Sequence, residues 1–317
     1  MVSLINPYAA VQWNTVDYIM SCSHLHLIQT TFELCYEKGM RHFPVSNYHP
    51  SDPSSTYPLE NAFSNVPEDA LGMPNTEHGG MTNTGGHFNA LGSFYAFGEA
   101  VDDTWQNAMR MVIGDMWEHG GGITINHPTT ISPDLVRRMI NAYPNDILGI
   151  EIYNDTTIKE MGIEFGWQLE LWDALLTEGY RVWGFCVIDH ILEAKEGILG
   201  DGRSILLVPE ATEAACAEAY RTGAFYGALK GDGIKFTKIV VDGPVISVET
   251  DDADEITFVI DGRRLVRDGN TASITVPPGT IYCRIEAKDN YERLFSQPII
   301  YQTRQYMLER RRILMNL

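Results

Sequence analysis

Six of the nine histidines in this 317-residue chain occur where a single metal cluster could use them. Two carboxylates, Glu77 and Asp189, accompany them in the sequence. Imidazole and carboxylate groups together are the ligands of catalytic zinc, manganese and iron sites. The pattern therefore indicates a metal-dependent hydrolase, and the predicted metal ligands are His24, His26, His49, Glu77, His87, His127, Asp189 and His190.

The histidines also follow strand-like segments. His24 and His26 are two residues apart, which is the repeat of a β-strand, so both rings are expected to project from the same face. His127 and His190 each close an apolar run. Because the active sites of α/β barrels gather at the C-terminal ends of parallel strands, three strands that end in histidine predict such a barrel.

The secondary structure that the sequence predicts changes along the chain. Residues 1–232 alternate strand-like and helix-like patterns, which favours a parallel sheet or barrel. From about residue 235, short β-rich runs separated by turn residues predict a small β-sandwich over residues 233–303. Residues 304–317 predict an amphipathic tail that docks on the body or on a second subunit. Helices are predicted over residues 28–38, 103–119, 132–142, 164–178 and 210–221.

Several segments, in order, resemble the motifs of a known family. They are Ser23-His24-Leu25-His26, Ser46-Asn47-Tyr48-His49, Glu77 with His87 ten residues later, Asn126-His127-Pro128 and Asp189-His190. Together they resemble the polymerase and histidinol phosphatase (PHP) family of metal-dependent phosphoesterases. Residues 6–13 and 223–227 are similar to a two-domain subgroup of that family. The order and spacing of the segments, rather than any single one, carry the resemblance.

The resemblance implies a distorted (β/α)7 barrel over residues 1–232, followed by the β-sandwich. It also implies that the eight ligands named above hold two to three divalent metal ions (Zn, Mn or Fe). The expected reaction is hydrolysis of a small-molecule phosphate ester by metal-activated water. We predict Glu77, His127 and Asp189 as the catalytic residues of this reaction.

The chain departs from the family pattern at three places. No acid occurs in residues 27–31, where the family has Ser-Asp-Gly; residues 47–49 lack the aspartate of Thr-Asp-His; and Asp189 directly precedes His190 instead of forming Asp-x-His. These changes leave open a degenerate, weakly active or non-catalytic metal-binding protein. An amidohydrolase-type enzyme that cleaves a C–N bond is a third possibility, because the same metal chemistry would serve it.

The small number of carboxylates among the predicted ligands also limits how many divalent metal ions the site is expected to hold. Divalent ions a few ångströms apart repel one another unless carboxylates intervene, so two ions are expected rather than three. The sequence predicts that His24, His26, Glu77 and His127 form the first site. His49, His87, Asp189 and His190 are expected to complete the second.

Composition and net charge argue against nucleic-acid binding and membrane association. A net charge of -19 argues against non-specific nucleic-acid binding, which requires a basic surface. The sequence contains neither a signal-peptide pattern nor an apolar stretch long enough to cross a bilayer, which predicts a cytoplasmic protein without membrane contact. The five cysteines are widely spaced and are expected to be reduced and buried. The predicted tail over residues 304–317 is also compatible with a homo-oligomer.

Overall fold

The computed structural model of the chain describes residues 4–47, 53–79, 86–95, 104–116, 120–230 and 233–315. The fold is a mixed α/β arrangement with several sheets. Its described helices are α1 (Gln29–Glu37), α2 (Trp105–Met116), α3 (Pro133–Ala142), α4 (Asp155–Met161), α5 (Ile163–Gly166), α6 (Leu169–Thr177), α7 (Glu213–Thr222) and α8 (Arg304–Met315). Within these described ranges, no helix has both the length and the apolar character needed to cross a membrane.

The strands fall into two groups along the chain. Those before residue 231 are β1 (Asp17–Ser21), β2 (Leu25–His26), β3 (His42–Phe43), β4 (Leu71–Gly72), β5 (Glu77–His78), β6 (His87–Leu91), β7 (Gly122–Asn126), β8 (Ile147–Asn154), β9 (Trp183–Val187), β10 (Asp189–His190), β11 (Gly202–Val208) and β12 (Phe225–Leu229). Those after it are β13 (Phe236–Asp242), β14 (Val245–Thr250), β15 (Glu255–Ile260), β16 (Arg263–Asp268), β17 (Thr271–Thr275), β18 (Tyr282–Lys288), β19 (Arg293–Ser296) and β20 (Ile299–Ile300).

Three of the helices, α3, α4 and α7, begin at a side chain that caps the first turn. The Ser132 hydroxyl accepts a hydrogen bond from the Leu135 N–H, and a proline in the first turn needs no donor there, so α3 begins where the sequence predicts it. The single helix predicted over residues 164–178 is wrong. Trp167 has an extended backbone that separates α5 from α6. Helix α4 was not predicted, and it begins because the Asn154 side chain caps its first turn.

A five-stranded sheet contains most of the strands that carry the predicted ligands. Its order is β5-β6-β7-β8-β9. Strands β7, β8 and β9 are parallel, as the sequence predicts, and every residue of the three is buried. Strand β6 is antiparallel to both β5 and β7, so the parallel arrangement that the sequence pattern favours does not extend to it. The connection between β5 and β6 is too short for the crossover that parallel strands require.

Backbone hydrogen bonds join this sheet to the segment that follows β1. Strand β2 pairs in parallel with β10, so the chain after β1 lies beside the chain after β9. The Ser46 N–H donates to the Leu25 carbonyl, and the Glu77 N–H donates to the Asn47 carbonyl. The segment ends that carry the predicted ligands therefore meet at one edge of the fold.

A ten-stranded sheet connects the two predicted domains. Its order is β16-β15-β18-β19-β12-β11-β1-β3-β4, and β20 pairs with β18. Because β12 is antiparallel to β19, the sheet continues across the predicted boundary at residues 232 and 233. That boundary stays a prediction. A smaller sheet, β13-β14-β17, packs on this one across a core that includes Ile239, Ile246, Phe258 and Ile285. All five cysteines are buried with free thiols.

A buried ion-pair network connects β18 to helix α6. The Arg284 guanidinium donates two hydrogen bonds to the Asp173 carboxylate, at 2.7 and 2.8 Å, and a third to Glu286 at 2.6 Å. Its side chain is only 1% exposed. Burial opposes the charge on Arg284, but the two carboxylates outweigh burial and raise the pKa of the guanidinium. The buried positive charge of Arg284 is therefore compensated by the carboxylates of Asp173 and Glu286.

Replacing Arg284 by alanine is expected to lower the free energy of unfolding by about 3–5 kcal/mol, because two carboxylates then lose their shared cation. Urea denaturation measures the change. The control is Arg267→Ala on β16, an exposed arginine, for which a change within about 0.5 kcal/mol is expected. Equal denaturation midpoints for the two variants would show that the network does not stabilise the fold.

Candidate metal centre

Most of the predicted ligands lie together at the edge where the segments meet. His24 and His26 follow β1, Glu77 begins β5, and Asp189 follows β9. Ring and carboxylate atoms from these elements form two groups with the spacing of a metal site. The first group is His24, His26 and Asp189, and the second is Glu77, His87 and His127.

Four ligand atoms, three from the first group and one from Glu77, lie close together. Nε2 of His24 lies 3.2 Å from Nε2 of His26, 3.2 Å from Oε2 of Glu77 and 3.3 Å from Oδ1 of Asp189. Nε2 of His26 lies 3.0 Å from the same glutamate oxygen and 3.5 Å from the same aspartate oxygen. A regular tetrahedron with corners about 2.0 Å from its centre has edges of about 3.3 Å, and zinc holds imidazole nitrogen and carboxylate oxygen at about this distance. Five of the six distances among these four atoms therefore match those of a tetrahedral ligand set.

Glu77 faces both groups, one with each oxygen. Its Oε1 lies 2.8 Å from Nδ1 of His87 and 3.3 Å from Nε2 of His127, and it accepts a hydrogen bond from the Asn126 amide. The side chain is 1% exposed. A carboxylate whose two oxygens point at different imidazole groups has the geometry of a bridge between two ions.

The Asp189 carboxylate supplies a test of whether a cation fits. Its Oδ1 is buried and accepts no hydrogen bond within the described part of the chain. Its Oδ2 accepts one from the Asn154 amide at 3.2 Å. A buried carboxylate oxygen without a donor is costly unless a cation compensates it. The mixed nitrogen and oxygen donors also suit zinc, manganese or iron, so the residues present fit a divalent ion.

The electrostatics of the site favour positive charge at its centre. Burial opposes a charge on His24, but Asp189, Glu77 and Glu151 outweigh it and raise the pKa of His24 well above its ordinary value. Burial and the neighbouring His24 instead lower the pKa of His26. Burial favours the neutral form of Glu77, yet the surrounding imidazoles hold its pKa below the ordinary range. Stabilisation of positive charge is what a bound divalent ion requires.

Backbone strain accompanies two of the site residues. Asp189 has a φ of 70°, and His127, which precedes a proline, has a φ of 23°. Such values are rare outside glycine, cost about 1–3 kcal/mol each, and persist only where the surroundings enforce them. Here the His127 N–H donates to Oε2 of Glu151 at 2.7 Å, which fixes the peptide beside the ring.

The grouping differs from the one expected from the sequence. The structure pairs His127 with His87 and brings Asp189 to His24 and His26. The reason is the register of β6, which places His87 opposite Asn126, directly before His127.

One predicted ligand within the described residues, His190, is not part of either group. His190 stacks on His26 at 4.3 Å between ring centroids, and its Nε2 lies 3.6 Å from Oδ1 of Asp189, so it borders the first group. Its side chain is 39% exposed. His49 lies outside the described residues. Ligation by any of the eight residues remains a prediction.

Sequence reasoning did not recognise Glu151, a buried carboxylate on β8. Its Oε1 lies 2.7 Å from Nδ1 of His24, and its Oε2 accepts hydrogen bonds from the His127 N–H and the Asn154 amide. The same amide reaches Asp189, so Glu151 and Asn154 connect three of the predicted ligands. Carboxylates that hold the second ring nitrogen of a ligating histidine fix its orientation and tautomer.

Comparisons with known proteins give distant similarity only. No family model and no curated protein matches the chain. Its fold has a TM-score of 0.47 against the crystal structure of a two-domain protein containing a predicted PHP-like metal-dependent phosphoesterase from Bacteroides vulgatus ATCC 8482. The two chains are 12% identical, and the match covers 87% of this chain and 91% of that chain. Because this likeness is so distant, the proposals below rest on the geometry of the site residues.

Replacing Glu151 by glutamine is expected to weaken metal binding by about 10- to 100-fold, because His24 loses the acceptor that orients it. Titration of the metal-free protein with Zn²⁺ against a competing chelator measures the affinity. Glu249→Gln on β14, a half-exposed carboxylate that pairs with Lys238, is the control and should bind as the unaltered protein does. An unchanged affinity in the Glu151 variant would show that this carboxylate does not position the ligands.

Proposed function

We propose that this protein is a metal-dependent hydrolase that binds two divalent ions and cleaves small phosphate esters. The observation that carries the proposal is the position of Glu77, whose two oxygens face separate groups of imidazoles. His24, His26 and Asp189 would hold one ion, and His87 and His127 the other, with Glu77 between them. Zinc, manganese and iron are the candidate metals, and His49 and His190 remain candidate additional ligands.

When bound, the ions would supply a water with a pKa lowered from about 15.7 toward about 7 and would neutralise charge on the phosphoryl oxygens. The chain's own residues prepare the site for this chemistry. Because Glu151 holds Nδ1 of His24, the lone pair on Nε2 of that ring faces the group of ligands. Asn154 holds one oxygen of Asp189 and leaves the other directed at the imidazoles.

Exposure and charge favour an anionic substrate. The His24 side chain is fully buried, whereas His87 is 30% exposed, so the site opens on the side of His87 and His190. The three carboxylates of Glu77, Glu151 and Asp189 do not fully offset the charge of two divalent ions. A loaded site would therefore keep a net positive charge in a protein that is acidic elsewhere, which attracts anions locally.

The proposal includes a distorted (β/α)7 barrel of the PHP type over residues 1–232, followed by a β-sandwich over residues 233–303. Support comes from seven chain segments that are linked in a ring by strand pairs and by the backbone bonds from Ser46 to Leu25 and from Glu77 to Asn47. The segments are residues 17–26, 42–47, 71–78, 87–91, 122–126, 147–154 and 183–190.

A turnover screen of the metal-loaded protein tests the reaction. Phosphomonoesters, phosphodiesters and amides are supplied as separate panels, and Asp189→Asn serves as the control that should lose activity. We expect hydrolysis of phosphate esters. Cleavage of amides alone would assign the site to C–N hydrolysis, and metal binding without turnover in any panel would assign a non-catalytic role.

A further inference from the structure

A chain of buried side-chain amides runs from the Glu77 carboxylate to the backbone beside His24. The Asn126 amide nitrogen donates to Oε1 of Glu77 at 3.1 Å and to Oδ1 of Asn89 at 2.8 Å. The Asn89 amide nitrogen in turn donates to the carbonyl of Ser23, the residue before His24. Both asparagines and Ser23 are fully buried, so bulk water does not compete for these hydrogen bonds.

Strand pairing places both amides at the site. Asn89 lies opposite Glu77 in the pair of β5 with β6, and His87 lies opposite Asn126 in the pair of β6 with β7. Because side chains two residues apart on a strand share a face, Asn89 lies on the face of β6 that carries His87. The sheet itself therefore holds the two asparagines beside the Glu77 carboxylate.

The direction of each amide is fixed by its partners. The Ser23 carbonyl and the ionised Glu77 carboxylate accept hydrogen bonds and donate none. Turning over either asparagine amide would therefore place two acceptor oxygens against each other, at Ser23 or at Glu77. Both N–H groups of the Asn126 amide are consequently used, one on Glu77 and one on Asn89.

The Glu77 oxygen that Asn126 holds is the one that faces the second group of ligands. The terminal torsion of a glutamate side chain has broad minima, so an unsupported carboxylate turns easily. Within the described residues, the second group supplies two imidazoles besides Oε1, whereas the first supplies two imidazoles and the Asp189 carboxylate besides Oε2. An ion at the second group therefore depends more strongly on the direction of Glu77.

We infer that Asn126, supported by Asn89, is a positioning residue that holds the Glu77 carboxylate in the orientation needed to bridge two ions. Its amide nitrogen carries two hydrogens and is no metal ligand, so it acts only through Glu77. The inference rests on the proposed two-ion centre and adds the residue that controls binding of the second ion. Loss of the Asn126 hydrogen bond should weaken the second ion and leave the first in place.

Stepwise titration of the metal-free full chain with Mn²⁺ tests the inference. Asn126→Leu keeps a side chain of similar shape but removes the donor, and the second ion should then bind at least ~10-fold more weakly. The first ion should bind as in the unaltered protein. Asn89→Leu keeps the Asn126 donor but removes its support, so a smaller loss of the second ion alone is expected.

Electron paramagnetic resonance at saturating Mn²⁺ supplies a second measurement. Two Mn²⁺ ions joined by a carboxylate are magnetically coupled, and this coupling should decrease in both variants. A general loss of stability would not change it in folded protein. The matched control is Gln297→Met, which removes an equally buried amide whose hydrogen bonds go to the Gly184 backbone. It should bind and couple both ions as the unaltered protein does.

Folded Asn126→Leu protein with the second-ion affinity and the coupling of the control would overturn the inference and leave the proposed centre intact. Equal weakening of both ions in the two variants would also overturn it, because Asn126 would then support the site in general. If circular dichroism shows that Asn126→Leu does not fold, Asn89→Leu decides by the same criteria. Unaltered protein that binds no second ion, or binds it without coupling, would refute the proposed centre and the inference together.

Discussion

Replacing Glu77 by glutamine is expected to remove both metal ions and to abolish hydrolysis. The amide keeps the shape of the side chain but offers one oxygen instead of two, and it carries no charge. Each oxygen of Glu77 faces a different group of imidazoles, so a single substitution affects both. We expect metal affinity to fall by at least ~100-fold, more than for a carboxylate that only orients ligands.

Elemental analysis of the purified variant after reconstitution with Mn²⁺ measures this effect. His190→Ala is the comparison, because His190 stacks on His26 from the exposed side and should lose less metal. His49→Ala should also release metal less completely than a change at Glu77. A Glu77 variant that still holds two ions per chain would show that this carboxylate is not a bridge.

Removing the metal with a chelator is expected to reduce phosphate-ester hydrolysis by at least ~1000-fold. Metal ions contribute several kcal/mol of transition-state stabilisation, and about 1.4 kcal/mol corresponds to a tenfold change in rate. Addition of Mn²⁺, Zn²⁺ or Fe²⁺ should restore the activity, and circular dichroism should show that the fold is kept throughout. Equal rates for the stripped and loaded protein would exclude metal-assisted hydrolysis.

The sequence predicted the convergence of the site better than its internal arrangement. His24, Glu77, His127 and Asp189 come together because each lies at the end or the start of a strand near one edge, which local patterns reveal. The grouping of His127 with His87 depends on the register of β6 with β7. Pairing between distant strands leaves no mark in a single sequence, so this part was not predictable.

Glu151 was missed for a related reason. It lies in β8, a strand whose residues are all buried, so the alternation of polar and apolar residues that marks a half-buried strand is absent. A single acid inside an apolar run is visible in the sequence, and buried acids are rare unless they are paired. Its partners His24 and Asn154, however, are defined only by the fold.

Outside the site, strands were easier to predict where turn residues separate them. The sequence predicts strands over residues 122–126, 245–250 and 255–260, because Gly, Pro and Asp interrupt the apolar runs, and β7, β14 and β15 have these bounds. Strand β16 was missed because its residues are mostly exposed and charged. Helix α4 was missed because the β-branched Thr156, Thr157 and Ile158 disfavour a helix, and the Asn154 cap offsets that preference.

Anomalous scattering from crystals of the Mn²⁺-loaded protein tests the central claim most directly. We expect two peaks of similar height on either side of Glu77, one surrounded by His24, His26 and Asp189 and the other beside His87 and His127. Two ions are expected because few carboxylates are available to separate more charges. Three fully occupied ions, a peak away from Glu77, or no peak at all would contradict the account of a two-ion centre.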